Sequence, residues 1–441
     1  MRIVHLSTSD TAGGAARAAF RLHTGLKRLG HQSTMLVLRR VGKDPDVKAF
    51  KPPADLVSRM RMKLRARRID KDLAKYEPRP AGFEMFSDDR SPFAEHVARQ
   101  ILPCDLINLH WVSDYIDHLN FFPLLPKDVP VVWRLADMAA LTSGCHYDHG
   151  CGRFTAQCGA CPQLGSKDPN DLSHQIWERK SLALGSLAPG QLSLVGTSTW
   201  IASESRRSSL LKQFPITVIP NGLDVSEFTP RDKNFSRDLW NIPRDAKVIC
   251  FAAESVVQKR KGFEYVVEAL SGLSGVEKPF LVSIGGLKEE LKLPVPHLNI
   301  GKINNDRLLS IAYSLADVFV MASVQESFGQ TVTESLACGT PVIAFDGTGP
   351  TDMVRPGVTG WLAKNGDANS LRQAIVTALA DDAGRATMSA TCRRVAVEEY
   401  SLEVQAAAYA RLYERLVAER RGAAGQTDKS VTSAPVPAGC T

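Results

Sequence analysis

The stretch Ala316-Asp-Val-Phe-Val-Met-Ala-Ser323, followed by Glu326-Ser-Phe-Gly-Gln-Thr-Val-Thr-Glu334-Ser-Leu-Ala-Cys338-Gly339, decides the fold. Its first part is a short apolar run that reads as a buried parallel strand. Phe328-Gly329 supplies a tight turn, and residues 331–338 have helical spacing stopped by Gly339. A strand feeding a helix in this way belongs to an open α/β sheet, whose ligands bind beyond the C-terminal ends of the strands. Backbone N–H groups at the helix start can hold an anion. Glu326 and Glu334 lie eight positions apart across the turn, too far to share one proton. They suit a ligand with a sugar at one end and another polyol at the other.

Two strand–helix series surround this unit. The first holds strands at residues 3–6, 33–38, 106–109, 131–135 and 192–195, with a helix over 14–29. The second holds strands at 248–251, 280–284, 298–300, 318–320 and 342–344, with helices over 263–273 and 306–315. Short apolar strands alternating with helices predict parallel sheets covered on both faces. Between the series, Ile219-Pro-Asn-Gly-Leu-Asp224 and the breakers after it read as an interdomain connection.

A chain of 441 residues accommodates two ordinary domains. Apolar content of 44% and charged content of 23% are those of a soluble globular protein. No apolar run approaches the ~20 residues of a membrane span. Met1-Arg-Ile-Val-His-Leu-Ser7 reads as a strand and lacks the features of an export signal, so the expected location is cytoplasmic, with peripheral contact at the inner face of the cell membrane. The net charge of +7 favours anionic partners such as sugar nucleotides or phospholipids. No nucleic-acid-binding motif is present, and nucleic acid is not expected as a partner.

Glu326-Ser-Phe-Gly with Glu334-Ser-Leu-Ala-Cys-Gly-Thr-Pro-Val-Ile-Ala closely resembles the retaining GT-B glycosyltransferases of family 4. Val-Ile-Pro-Asn-Gly-x-Asp followed by Phe-x-Pro recurs in that family at the domain junction. The resemblance implies an α/β GT-B architecture of two Rossmann-like domains facing across a cleft. Residues 1–212 would form the acceptor domain and 213–399 the nucleotide-sugar donor domain. Helices over about 400–421 would cross back onto the first domain, and 422–441 is expected to be a disordered tail.

The same resemblance assigns roles. Glu326 would hold the donor sugar and steady charge at the reacting carbon, and Glu334 would hydrogen-bond the donor ribose. The turn and helix start at Phe328, Gly329, Gln330 and Thr331, together with Lys261, would cradle the diphosphate. The turn at Gly13 and Gly14 matches neither Gly-x-Gly-x-x-Gly nor a Walker loop, yet it would let backbone approach a phosphate closely. The family usually carries an arginine about six residues before the lysine. Here that position falls near Ser255, so Arg260 substitutes or the second charge is missing. His110 matches a histidine near the cleft. Where the family typically has His-Asp or His-Thr, this chain has Ala136-Asp137.

Cys145, Cys151, Cys158 and Cys161 fall within 17 residues in a chain without an export signal, which suggests a structural zinc; disulfides or free thiols are the alternatives. His146 or His149 could replace one thiol. The block resembles an insertion in a polysaccharide-assembly branch of the family. Residues 58–68 hold six basic side chains and no acidic one, the pattern of a helix docking on anionic lipid or of a solvated surface helix.

The expected activity is transfer of a hexose-type sugar (EC 2.4), with retention, from a nucleoside diphosphate sugar to a glycan or lipid-linked acceptor in polysaccharide biosynthesis. No cofactor is required for catalysis. The alternative is a non-catalytic sugar-nucleotide-binding or scaffold protein of the same fold, supported by Ala136 and the missing arginine near Ser255.

Overall fold

A computed structural model of the chain describes residues 1–256, 258–287 and 292–431. Seven parallel strands form the first sheet: β1 (Arg2–Ser9), β2 (Gln32–Arg39), β3 (Val47–Ala49), β4 (Leu106–Leu109), β5 (Val131–Leu135), β6 (Leu192–Gly196) and β7 (Ile216–Val218). Their order is β3-β2-β1-β4-β5-β6-β7. The second sheet holds β8 (Lys247–Ser255), β9 (Pro279–Gly286), β10 (His297–Gly301), β11 (Val318–Met321), β12 (Val342–Phe345) and β13 (Gly360–Ala363), in the order β10-β9-β8-β11-β12-β13. Both are doubly wound, and the order reverses beside β1 and β8, which places a crevice at the C-terminal ends of the strands. The strands read from the sequence are all present. β3, β7 and β13 were not read from it, because they lie at sheet edges and none is a continuous buried apolar run.

The central strands are continuous apolar runs because helices cover both faces; β4, β5, β11 and β12 are buried at every position. In the first domain, α1 (Gly14–Arg28) follows β1 and α2 (Leu56–Ala74) follows β3. In the second, α3 (Phe263–Ser271), α4 (Asp306–Ser314) and α5 (Gln330–Ala337) follow β8, β10 and β11. Each fully buried Leu or Phe in these layers contributes about 1.5–3 kcal/mol.

Because Ile216–Val218 pairs with β6, the first domain's sheet runs past residue 212, where the sequence placed its end. The chain crosses between domains twice, and the two crossings lie side by side: Leu223 N–H donates to the Tyr400 carbonyl and Leu402 N–H to the Leu223 carbonyl, both at 2.9 Å. α6 (Leu402–Val431) then lies on α1. Tyr409, Tyr413 and Leu416 of α6 share a buried cluster with Leu22 and Leu26 of α1. A side chain at Gly25 would meet Ala406 Cβ at 2.8 Å, so the glycine lets the two helices approach.

The tail expected to be disordered from residue 422 is helical through Val431, because no proline interrupts the growing helix and propagation needs only one hydrogen bond per added residue. Residues 432–441 lie outside the described residues. Among the described residues, no helix is long and apolar enough to cross a membrane.

Candidate active site

The two strand-to-helix turns read from the sequence meet across the cleft. Gly13 (φ +86) precedes α1 and Gly329 (φ +89) precedes α5, and neither helix has a side-chain cap. A left-handed φ suits glycine, and the absent cap leaves first-turn N–H groups free to bind an anion. Gln330 ties the turns together: its Nε2 donates to the Gly14 carbonyl at 2.5 Å, and its Oε1 accepts from Arg21 Nη1 at 3.2 Å. The Thr331 hydroxyl is buried at this helix start without a hydrogen-bond partner. The Phe328 ring packs into the second domain's core, so only its backbone can serve a ligand.

Glu326 sits between β11 and α5 and is 7% exposed. Lys261 Nζ donates to its Oε2 at 2.6 Å, and Arg260 Nη1 to the same oxygen at 3.2 Å. Burial alone would raise the pKa of this carboxyl, but the charges of Lys261 and Arg260 outweigh it and hold the group at about 2. Lys261 is placed by Gly262, at φ +71, where a Cβ would fall 1.9 Å from the Ala322 carbonyl oxygen. Only glycine permits that approach.

Glu334 is buried in α5, where it accepts from the Tyr313 hydroxyl at 3.0 Å and lies 3.5 Å from Arg21 Nη2. Burial raises its pKa, and Arg21 and Arg17 partly offset that rise. Arg21 belongs to α1, so this ion pair crosses the cleft.

Arg260 lies beside Lys261 and Glu326. Its Nε donates to Glu84 at 2.7 Å, its Nη1 to the Gln325 carbonyl at 2.6 Å, and its guanidinium stacks 3.8 Å from the centre of the Tyr147 ring. Nε and Nη1 are thereby engaged within the protein, and Nη1 also donates to Glu326 at 3.2 Å, so Arg260 buttresses that carboxylate. His110 lines a cavity together with Trp111 and Asp137. It is 1% exposed, bonded to His5 and Arg134, and burial followed by the Arg134 charge holds its pKa well below the ordinary value.

Asp137 lies at the cleft edge, where it accepts from Trp111 Nε1 at 2.9 Å and pairs with His146 Nδ1 at 2.7 Å. Burial opposes its ionisation, and His146 more than compensates, holding its pKa below the ordinary value. At Ala136, where the resemblance expects histidine, the carbonyl accepts from Ser327 Oγ at 2.5 Å.

Cys145, Cys151, Cys158 and Cys161 line one cavity of about 20 Å³. Yet among the described residues no group of three or more His, Cys, Asp or Glu is placed to hold a metal ion. His146 turns to Asp137 and Ser87, and His149 lies against Phe83, so neither completes a metal set. Cys145 and Cys161 instead pack with Phe86, Leu164, Leu172 and Ile176. The four thiols share the cavity without forming such a group among the described residues, and no step is derived through a metal.

The same loop and its neighbours bring together side chains whose placement has no local code. Tyr147 Oη lies 3.4 Å from both Glu326 Oε1 and Ser327 Oγ. The His149 backbone N–H donates to Gln325 Oε1 at 3.0 Å, and Gln325 Nε2 donates to Asp148 at 2.7 Å. Ser198 Oγ donates to the Ser327 carbonyl at 2.6 Å. Tyr147 adjoins Cys145-His146 in sequence, a signal that these residues mattered; Gln325, Arg21 and Glu84 carried none.

Two paired sheets with opposed strand ends have many solved counterparts. HepE of Anabaena, solved with UDP and glucose, superposes with a TM-score of 0.63 over 94% of this chain and 100% of its own, at 16% identity. Sucrose-phosphate synthase of Thermosynechococcus elongatus gives 0.63 over 95% and 99%, at 19% identity. The fold is GT-B. Residues 232–395 match the family model described as Glycosyl transferases group 1. The lipopolysaccharide core biosynthesis glycosyltransferase LpsE of Rhizobium meliloti is 31% identical over 196 residues, which are 43% of this chain and 56% of LpsE. The chain spans about half the length of the curated relatives it matches.

Proposed function

We propose that this protein is a retaining glycosyltransferase that moves a sugar from a nucleoside diphosphate sugar to a glycan or lipid-linked acceptor in polysaccharide assembly. The observation that carries the reading is the pair of uncapped helix starts at Gly13 and Gly329, facing each other beside the Lys261–Glu326 ion pair. The family match over 232–395 and the names of LpsE and HepE's ligands support it.

In this reading the diphosphate lies between the two helix starts, where oriented N–H groups and Lys261 meet the charge that grows as the sugar leaves. Lys261 swings from Glu326 to the phosphates, and the freed carboxylate binds sugar hydroxyls and steadies positive charge at the anomeric carbon. The acceptor oxygen bonds to that carbon on the face the leaving group vacates, while the carbon–oxygen bond to the diphosphate breaks. The departing phosphate oxygen takes the acceptor's proton, so no second carboxylate is needed. Glu334, neutralised in part by Arg21, accepts from the ribose.

Acceptor delivery falls to the first domain. Leu56, Val57, Met60 and Leu64 of α2 are 77%, 60%, 54% and 49% exposed beside Arg59, Arg61, Lys63, Arg67 and Arg68, which supports contact with an anionic lipid surface.

The deciding experiment incubates the protein with UDP-, GDP- and ADP-sugars and a glycan acceptor. It measures released nucleoside diphosphate and reads the anomeric configuration of the product by NMR. Binding without release would establish the non-catalytic alternative.

A further inference from the structure

The C-terminal end of β5 carries a charge that none of the roles above uses. Arg134 is 1% exposed. Its Nε donates to His110 Nδ1 at 2.9 Å, its Nη1 to Asn221 Oδ1 at 2.8 Å and its Nη2 to the Ala15 carbonyl at 2.9 Å. The first of these bonds fixes the neighbouring tautomer. Because His110 Nδ1 accepts, its Nε2–H donates to His5 Nδ1 at 2.9 Å, and the chain ends at His5 Nε2, buried without a partner. All three acceptors of the guanidinium are therefore neutral. Among the described residues no carboxylate pairs with it; Asp137 acts on it only at a distance and is itself held by Trp111 and His146.

A buried cation without a counter-ion is costly, and arginine cannot escape by losing its proton. Such a charge is tolerated where an anion arrives to complete it. The acceptors indicate where. Ala15 lies in the first turn of α1, directly after Gly13 and Gly14. His110 follows β4, and Asn221 lies in the first crossing between domains. The guanidinium thus stands behind the helix start that faces Gly329 and Gln330.

We propose that Arg134 is the buried counter-charge for the donor's diphosphate. It acts through the first turn of α1 as a positioning residue, in place of the arginine absent near Ser255. Its cation adds to the partial positive charge of the helix start, and its bond to Ala15 fixes the turn at the distance a phosphate requires. This role rests on the reading of the cleft as a nucleoside diphosphate sugar site.

The test compares wild type with Arg134→Gln, which keeps donors without charge, and Arg134→Lys. Each is titrated calorimetrically with UDP, GDP and ADP and with the matching nucleosides, and melted without ligand. For whichever diphosphate wild type binds, Arg134→Gln should bind at least tenfold more weakly, with nucleoside affinity changed less than twofold. Its unliganded melting temperature should not fall, since an uncompensated charge has been removed. Arg134→Lys should recover part of the loss. Equal diphosphate affinity in Arg134→Gln and wild type would overturn the role. So would an Arg134→Gln that fails to fold or melts well below wild type, because the cation would then serve the fold. A wild type that binds none of the diphosphates would overturn the reading of the cleft itself, and this role with it.

Discussion

Tyr147 Oη lies 3.4 Å from Glu326 Oε1, so a loop of the first domain touches the most strongly ion-paired carboxylate of the second domain's cleft. The ring also carries the Arg260 guanidinium at 3.8 Å. One aromatic side chain therefore links the cysteine-rich loop to both the carboxylate and its cation.

Tyr147→Phe keeps the ring and loses only the hydroxyl. Steady-state kinetics should show kcat lowered about three- to tenfold, near the ~1 kcal/mol of one hydrogen bond, with little change in donor KM. Tyr147→Ala also removes the surface under Arg260 and should destabilise the protein by about 3–5 kcal/mol in chemical denaturation, as large-to-small aromatic changes do.

Glu326→Gln should lower kcat on the order of 10²–10³-fold while circular dichroism stays native, since the lost charge acts chiefly at the transition state. Rates within a few-fold of wild type would remove Glu326 from the mechanism. The substitution also has a pH signature. The folded carboxyl titrates at about 2 and the free group at 4.5. A depressed pKa stabilises the fold above 4.5, and that stability is lost as pH falls toward 2. The shift corresponds to about 3 kcal/mol. The stability gap between wild type and Glu326→Gln should therefore be full at pH 6 and narrow steadily as pH falls from 4.5 to 3.

Glu334→Gln keeps an acceptor for Tyr313 and removes the charge that faces Arg21. Donor nucleotide should bind more weakly by about 1–3 kcal/mol, and the matching nucleoside by a similar amount, because the ribose carries the contact. Calorimetry showing unchanged nucleoside affinity would assign Glu334 to holding Arg21 alone.

The cysteine cavity makes a prediction opposite to the zinc expected from the spacing. Protein purified without chelators should contain no zinc by elemental analysis, and EDTA should leave its melting temperature unchanged. Cys161→Ser should cost about 1–3 kcal/mol, because it places a hydroxyl in the cluster of Phe86, Leu164, Leu172 and Ile176. Zinc found at about one per chain would mean that the four thiols close on a metal.

Vesicles containing anionic phospholipid should sediment the protein at low salt and release it as ionic strength rises. Exchanging Arg67 and Arg68 for Glu should weaken binding at least tenfold, at about 1 kcal/mol per basic residue. Equal partition of wild type and variant would leave α2 a solvated helix.

The sequence by itself determined the two sheets, their central strands and the two glycine turns, because burial on both faces and the need for left-handed backbone are written in local residue choice. Phe319, Gly13 and Gly329 needed no distant partner to be read. The roles expected of Glu326 and Glu334 came from the resemblance of their flanking residues to a known family, not from their spacing alone. Only the tertiary structure decided what each charge faces. Arg260 could be read as a substitute for the missing charge, but that Glu84, remote in sequence, meets its Nε had no local sign. That His110 is held between Arg134 and His5 had no local sign. The cysteine spacing suggested a metal, but whether thiols converge on an ion or pack against Phe86 depends on how the loop meets its neighbours. Electrostatic roles are set by distance and burial across elements far apart in the chain, and neither quantity has a local code.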